Sequence, residues 1–137
     1  MNRRELQVLA QTRLVESKAL LRAGLPDGAY YLAGYSVECA LKACIARSTR
    51  RHDFPDKDTV IKIYTHDLEK LVVAAKLEDE RRAQAKSDPV FRGNWDVVKQ
   101  WSEQTRYRRH DLEIARKLVE AIGGREHGIL AWIKRHW

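Results

Sequence analysis

The stretch GAYYLAGYSVECALKACIA, from Gly28 to Ala46, decides how this chain is expected to fold. Glu38 and Lys42 are its only charged residues. A helix that is apolar nearly all round packs against neighbours on several sides, so the stretch predicts the central helix of an all-α fold. Gly34, which has no side chain, would allow a neighbouring helix to approach closely.

The segments on either side of this stretch also have helical patterns. Apolar residues from Arg3 to Ala23 recur at the spacing of one buried helical stripe, and the same holds from Asp111 to Ile122. At 137 residues the chain has room for one sizeable core. We therefore expect one domain, residues 1–137, folded as an all-α bundle of about five helices. Shorter helices are predicted after Thr65 as N-cap, within Lys76 to Asp88, after Asn94 as N-cap and from Gly128 to Trp137.

The two charged residues of the central stretch stand four positions apart. Glu38 before Lys42 is the order that favours an ion pair on a helix. If these side chains are buried, pairing becomes necessary because an isolated buried charge is costly. We predict a structural ion pair, with a polar pocket lined by both side chains as the alternative. Cys39 and Cys44 point to different faces of the same helix, which favours two buried free thiols.

The composition favours a soluble protein with an anionic partner. Lys and Arg number 26 against 19 Asp and Glu, which gives a net charge of +7. Such an excess suits RNA or another phosphate-containing ligand, and an acidic protein would explain it equally well. The chain shows no apolar membrane span and no secretory signal, so we expect a cytoplasmic protein without membrane contact. It also shows no Gly-rich phosphate loop and no zinc-ligand spacing, so neither a metal site nor a cofactor is predicted.

Two basic segments are candidates for contact with phosphate. The first runs from Arg47 to Tyr64 and is interpreted as a turn-rich loop, and the second is a junction from Thr105 to His110. Arg47 and His52 have four residues between them, a spacing that the many Arg residues of this chain produce by chance. The predicted phosphate-contacting residues are Arg47, Arg50, Arg51, His52, Arg108 and Arg109.

Three segments, in this order, resemble the HEPN family of small helical bundles. The stretch from Ala29 to Ala43 is similar to the apolar helix of that family with its embedded Glu and Lys. The sequence Thr65-His66-Asp67-Leu68 resembles the start of a following helix, in which we expect His66 to make only local hydrogen bonds. The segment from Trp101 through Arg106-Tyr107 resembles the aromatic and Arg-Tyr segment near the last long helix.

The resemblance implies an up-and-down bundle that forms a homodimer. Many family members are ribonucleases that need no metal ion and act in toxin-antitoxin or antiviral phage-defence systems, and some are encoded beside a small nucleotidyltransferase that controls them. Others lack catalysis. We therefore expect an RNA-associated protein, either a metal-independent endoribonuclease or a non-catalytic module that binds nucleic acid, a nucleotide or a nucleotidyltransferase-like partner protein.

Active members of the family carry an Arg followed, after four to six residues, by a His. His can transfer protons near neutral pH, and Arg can stabilise charge that develops on the phosphate. At the matching junction, this chain has Arg106 and His110 with only three residues between them. If the junction is helical, both side chains project from one face and could converge on one phosphate. In the alternative interpretation, Arg106-Tyr107 anchors the bundle and His110 only begins the last long helix.

Overall fold

The computed structural model describes residues 1–49, 57 and 64–137, and of Arg106 it describes only the backbone. The regular secondary structure of these residues is helical. This confirms the all-α fold class. Seven α-helices and one 3-10 helix can be followed in the described ranges, so each of the seven helical segments predicted individually contains a helix, although the bundle as a whole was expected to have about five. The helices are α1 (Arg3–Arg22), α2 (Pro26–Ser48), α3 (Leu68–Ala74), α4 (Glu78–Ser87), α5 (Pro89–Val98), the 3-10 helix (Glu103–Tyr107), α6 (Leu112–Gly123) and α7 (Ile129–Lys134).

Helix α2 is the central element of the fold, as its composition predicts. It begins earlier than expected because Pro26 occupies the first turn, where its missing N–H costs nothing. The residues Tyr30, Gly34, Val37, Leu41 and Ile45, which lie near one face of α2, are all buried. Helix α1 runs antiparallel to it, since the Ser36 hydroxyl donates to the Ala10 carbonyl and Gly28 lies against Leu20.

Two predicted helix starts were wrong. Asp67, and not Thr65, is the N-cap of α3, where its carboxylate accepts hydrogen bonds from two backbone N–H groups. Asp88, and not Asn94, caps α5. Asn94 lies inside that helix and donates from its side chain to the carbonyl of His127.

The indole of Trp101 packs directly on Gly34. A Cβ atom built on this glycine would lie 2.2 Å from three atoms of the ring. The close approach predicted at Gly34 therefore exists, but its partner is a side chain that follows α5 rather than a neighbouring helix. Trp101 is 2% exposed, and the tryptophans at 95 and 132 are also buried in the core.

Cys39 and Cys44 are buried free thiols, as expected. Burial raises the pKa of each thiol to about 11, so both stay protonated near neutral pH. Within the described residues, no helix combines the length and apolar character needed to cross a membrane.

We predict that the Asp88 cap makes stability depend on pH. Hydrogen bonds from His127 and from the Phe91 N–H hold the pKa of Asp88 below its ordinary value. A lowered folded-state pKa gives stability that is present above the unfolded pKa, about 3.9, and is lost as pH falls through the folded value. Asp88→Asn keeps a good cap but lacks the charge. Urea unfolding should show that wild type is more stable than this variant at neutral pH, with a difference that shrinks below about pH 4. A difference that is constant across pH would contradict the prediction.

Candidate functional site

The segment from Trp101 to His110 runs back along α2 from the middle of that helix to its N-terminus. Trp101 lies on Gly34, and at the other end the backbone N–H of His110 donates to the Asp27 carboxylate at 2.5 Å. The segment from Trp101 to His110, which contains the basic junction predicted as a candidate site, therefore contacts the central helix at both ends.

His110 is held by three contacts. Its ring stacks on Tyr30 with a centroid separation of 3.9 Å and an interplanar angle of 14°. Its backbone is bound by Asp27, and its Nε2 lies 3.4 Å from the carbonyl oxygen of Thr105. Because a carbonyl can only accept, Nε2 carries the proton in this contact and the neutral ring has its lone pair on Nδ1.

The condition under which Arg106 and His110 would share one helical face, a continuous helix through the junction, is not met. The 3-10 helix ends at Tyr107, and the backbone of Arg108 is extended, so His110 lies beyond the helix that contains Arg106. The side chain of Arg106 lies outside the described structure. In the alternative interpretation Arg106-Tyr107 anchors the bundle. The side chain of Tyr107 is 76% exposed, so it does not pack in the core.

Arg108 and Arg109 present positive charge at the surface, as a phosphate contact requires. Both are exposed and lie between the 3-10 helix and the stacked ring of His110. Burial raises the pKa of the Tyr30 phenol, and the charge of Arg108 acts in the opposite direction. The basic side chain therefore acts electrostatically on the ring that supports His110.

A polar cluster on α2 holds the beginning of the same segment. The predicted ion pair is present, with Lys42 Nζ 2.8 Å from Glu38 Oε1. His66 Nδ1 lies 2.9 Å from the same oxygen, and His66 Nε2 lies 3.2 Å from Glu103 Oε2. The cluster thereby links α2 to the residue before the α3 cap and to the first residue of the 3-10 helix. The expectation that His66 makes only local hydrogen bonds was wrong.

Burial of this cluster is uneven. The side chain of Glu38 is 2% exposed, that of Lys42 18% and that of His66 42%. Glu38 Oε1 accepts from both neighbours, whereas Glu38 Oε2 is buried and has no hydrogen-bond partner among the described residues. Unsatisfied buried acceptors are rare in folded proteins and cost free energy, so this oxygen is a feature that the fold alone does not explain.

The other basic segment is only partly described. Arg47 was predicted in a loop but lies in the last turn of α2, where its guanidinium donates to the carbonyl of His136 at 3.1 Å. Helix α2 extends through this position to Ser48, and the backbone becomes extended at Thr49. The predicted phosphate contacts Arg50, Arg51 and His52 lie outside the described residues.

Sequence reasoning missed the residues that position the site. Tyr30 and Asp27 hold His110 from 80 or more positions away, and Glu103 reaches His66 across 37 positions. The only sequence signal was indirect: Asp27 stands in the first turn of α2, where an acidic residue is already favoured by the helix dipole.

Proton transfer and phosphate binding are the chemistry that this arrangement could support. Among residues 1–49, 57 and 64–137, no three His, Cys, Asp or Glu side chains are grouped as a metal site would require. Comparisons with protein-family models, curated proteins and solved structures found no match to this chain.

Proposed function

We propose that this chain is an RNA-associated helical bundle of the HEPN type, which contacts the RNA backbone through the segment from Arg106 to His110. The observation that supports this proposal most directly is the stacking of the His110 ring on Tyr30, which holds an exposed basic segment against the central helix. A basic segment that is already ordered loses less conformational entropy when it binds phosphate. The net charge of +7 supports the same class of ligand.

Phosphate contact gives binding a defined dependence on salt. Each phosphate neutralised by Lys or Arg contributes a slope of about −0.7 in the logarithmic plot of affinity against salt for single strands. We expect Arg108→Gln with Arg109→Gln to weaken binding of a single-stranded RNA oligonucleotide and to make this slope shallower by roughly 1.4. Fluorescence anisotropy at several salt concentrations measures both quantities.

The matched control removes two positive charges elsewhere. Lys86→Gln with Arg92→Gln changes two exposed residues on α4 and α5 and leaves the net charge equal to that of the test variant. A local binding surface predicts a larger loss of affinity at residues 108 and 109. Equal losses in the two double variants, or binding that ignores salt, would contradict the proposal.

Metal-independent cleavage of RNA is the activity that we propose for the same site. The supporting observation is the contact between His110 Nε2 and the Thr105 carbonyl, which places the lone pair of the neutral ring on Nδ1. A neutral imidazole nitrogen can accept the proton of a ribose 2′-hydroxyl as this group attacks the adjacent phosphate. The bond from phosphorus to the 5′-oxygen then breaks, which leaves a 2′,3′-cyclic phosphate, and the departing 5′-oxygen takes a proton from water. The neighbouring guanidinium groups would stabilise the charge that develops on phosphate oxygen.

We expect His110→Gln to lower the rate of RNA cleavage in EDTA by at least about 100-fold while RNA binding changes much less. A gel assay of a labelled oligonucleotide measures the rate, and His136→Gln is the control for loss of an imidazole near the C-terminus. Equal cleavage by wild type and His110→Gln would remove His110 from the mechanism. Binding without cleavage by wild type would instead favour the non-catalytic module.

The proposed HEPN-like assembly is a homodimer, with a nucleotidyltransferase-like protein as a further partner. A dimer would bring two copies of the basic segment into one binding surface, which is how a short segment could contact an extended RNA strand. Sedimentation at several protein concentrations tests the self-association, and a persistent monomer would contradict it.

A further inference from the structure

His66 lies between two carboxylates that belong to different elements of the fold. Its Nδ1 is 2.9 Å from Oε1 of Glu38 on α2, and its Nε2 is 3.2 Å from Oε2 of Glu103, the first residue of the 3-10 helix. The two ring nitrogens of one histidine therefore connect the central helix with the segment from Trp101 to His110.

Both contacts can be hydrogen bonds only while the imidazole of His66 carries two protons. An ionised carboxylate oxygen accepts hydrogen bonds but cannot donate them, so each ring nitrogen must supply an N–H. A neutral imidazole has only one N–H, and the lone pair on its other nitrogen would face a carboxylate oxygen. The geometry is therefore that of an imidazolium, which loses one of its two contacts when it releases a proton.

The contact with Glu103 is the one that deprotonation breaks. Glu38 is 2% exposed, and a buried acceptor that loses a donor costs more than an exposed one, so the neutral ring keeps its proton on Nδ1. Glu103 is 37% exposed, so water can hydrate its carboxylate once Nε2 no longer donates to it. The shorter distance to Glu38 agrees with this order.

The charges around the ring oppose a contact between Glu103 and a neutral His66. Among the described residues, the charged side chains that contact the ring or its partners, or line the recess beside it, are Glu38, Lys42, Asp67, Glu69, Lys99 and Glu103. This set contains four carboxylates and two ammonium groups. Without the charge of His66, the carboxylate of Glu103 is repelled by its surroundings.

We propose that His66 is a pH-sensitive switch, which holds the 3-10 helix against α2 while its imidazole is protonated and releases this helix when the imidazole is neutral. In the protonated state the ring joins Glu38 to Glu103. In the neutral state it remains on Glu38, and the first turn of the 3-10 helix loses its link to the central helix.

The change is confined to the middle of the segment from Trp101 to His110. Trp101 remains packed on Gly34, and the His110 N–H remains bound to Asp27, because neither contact involves His66. The inference rests on the contacts of His66 and does not depend on RNA binding at residues 106–110.

Amide hydrogen exchange of the full chain tests the switch at about pH 5.5 and 8.5, on either side of the ordinary imidazole titration near 6.5. Each rate is divided by the intrinsic exchange rate at the same pH. The N–H groups of Thr105 and Arg108 donate to the carbonyls of Ser102 and Thr105 within this segment. Their protection should be at least about threefold lower at the higher pH, the effect of losing a partly exposed charged contact. The nitrogen-15 shifts of His66 should change from those of an imidazolium to those of a ring protonated on Nδ1.

Two variants remove the switch in different ways. His66→Gln does not titrate, so the protection should be equal at both pH values and close to that of wild type at the higher pH. Glu103→Gln provides an amide that can accept from a ring N–H or donate to a bare ring nitrogen, so its contact should persist at both pH values. This second variant remains informative if His66→Gln does not fold.

His127→Gln is the matched control. His127 also lies between two carboxylates, 2.7 Å from Asp88 and 3.5 Å from Glu126, but in the connection between α6 and α7. This variant should keep the pH dependence of wild type in the 3-10 helix. Equal protection of wild type at the two pH values would overturn the proposal, as would a wild-type pH dependence in either variant of the switch or its loss in His127→Gln. None of these outcomes depends on the RNA assays with residues 108 and 109.

Discussion

Gly34→Ala is expected to destabilise the protein by at least about 3 kcal/mol, at or beyond the upper end of the usual cost of overpacking a core. The added Cβ would lie 2.2 Å from three atoms of the Trp101 indole, closer than van der Waals contact allows. The indole is a rigid ring that is 2% exposed, so it cannot rotate away into solvent without leaving the core. Urea denaturation of wild type and variant measures the difference in the free energy of unfolding.

Gly93→Ala is the control, because this substitution is expected to stabilise the protein rather than destabilise it. Gly93 lies inside α5, and a Cβ built there meets no described atom within 4 Å. Alanine in an unobstructed helix position stabilises by roughly 0.5–1 kcal/mol relative to glycine. If Gly34→Ala proves as stable as wild type while Gly93→Ala behaves as expected, the contact between Trp101 and Gly34 is not as close as described.

Trp101 also connects this packing contact with the candidate site. It begins the segment that ends at His110, so its displacement should alter the position of the basic residues as well as stability. We expect Gly34→Ala to weaken RNA binding at temperatures where it remains folded. The cause would be loss of the ordered arrangement of residues 106–110, not loss of charge.

The sequence predicts the central helix well because the information is local. The apolar composition around Glu38 and the four-residue spacing to Lys42 are sufficient to predict both a buried helix and its ion pair. Neither observation requires knowledge of another segment. The same is true of the free thiols at 39 and 44, which follow from the geometry of one helix.

The path of the candidate site could not be predicted because long-range contacts determine it. His110 is placed by Tyr30 and Asp27, and nothing in the local sequence around Arg106 shows where the 3-10 helix ends. An i, i+4 argument applies only inside a continuous helix, so it failed where the backbone becomes extended at Arg108. The error at Asn94 has a related cause, since a good capping residue was assigned without regard to the stronger Asp88-Pro89 start before it.

Lys42→Met should destabilise the protein about as much as Gly34→Ala, but for an electrostatic reason. Removal of one partner from a buried ion pair costs about 3–5 kcal/mol, because the other charge remains in a low-dielectric environment without compensation. Glu38 is 2% exposed and would keep only the contact with His66, so we expect a loss of about 3 kcal/mol in the free energy of unfolding. Methionine keeps much of the aliphatic length of lysine, so the loss reports mainly on charge.

Two comparisons separate the loss of charge in Lys42→Met from a loss of packing. Arg13→Met breaks a pair of similar helical spacing whose side chains are 29% and 41% exposed, and exposed pairs contribute at most about 1 kcal/mol. Adding Glu38→Gln to Lys42→Met replaces the stranded carboxylate with a neutral amide of nearly the same shape, so the double variant should be more stable than Lys42→Met alone. Urea unfolding of wild type, Lys42→Met, Arg13→Met and the double variant measures these differences in the free energy of unfolding. A double variant no more stable than the single one would mean that the aliphatic chain of Lys42, and not its charge, stabilises this part of α2.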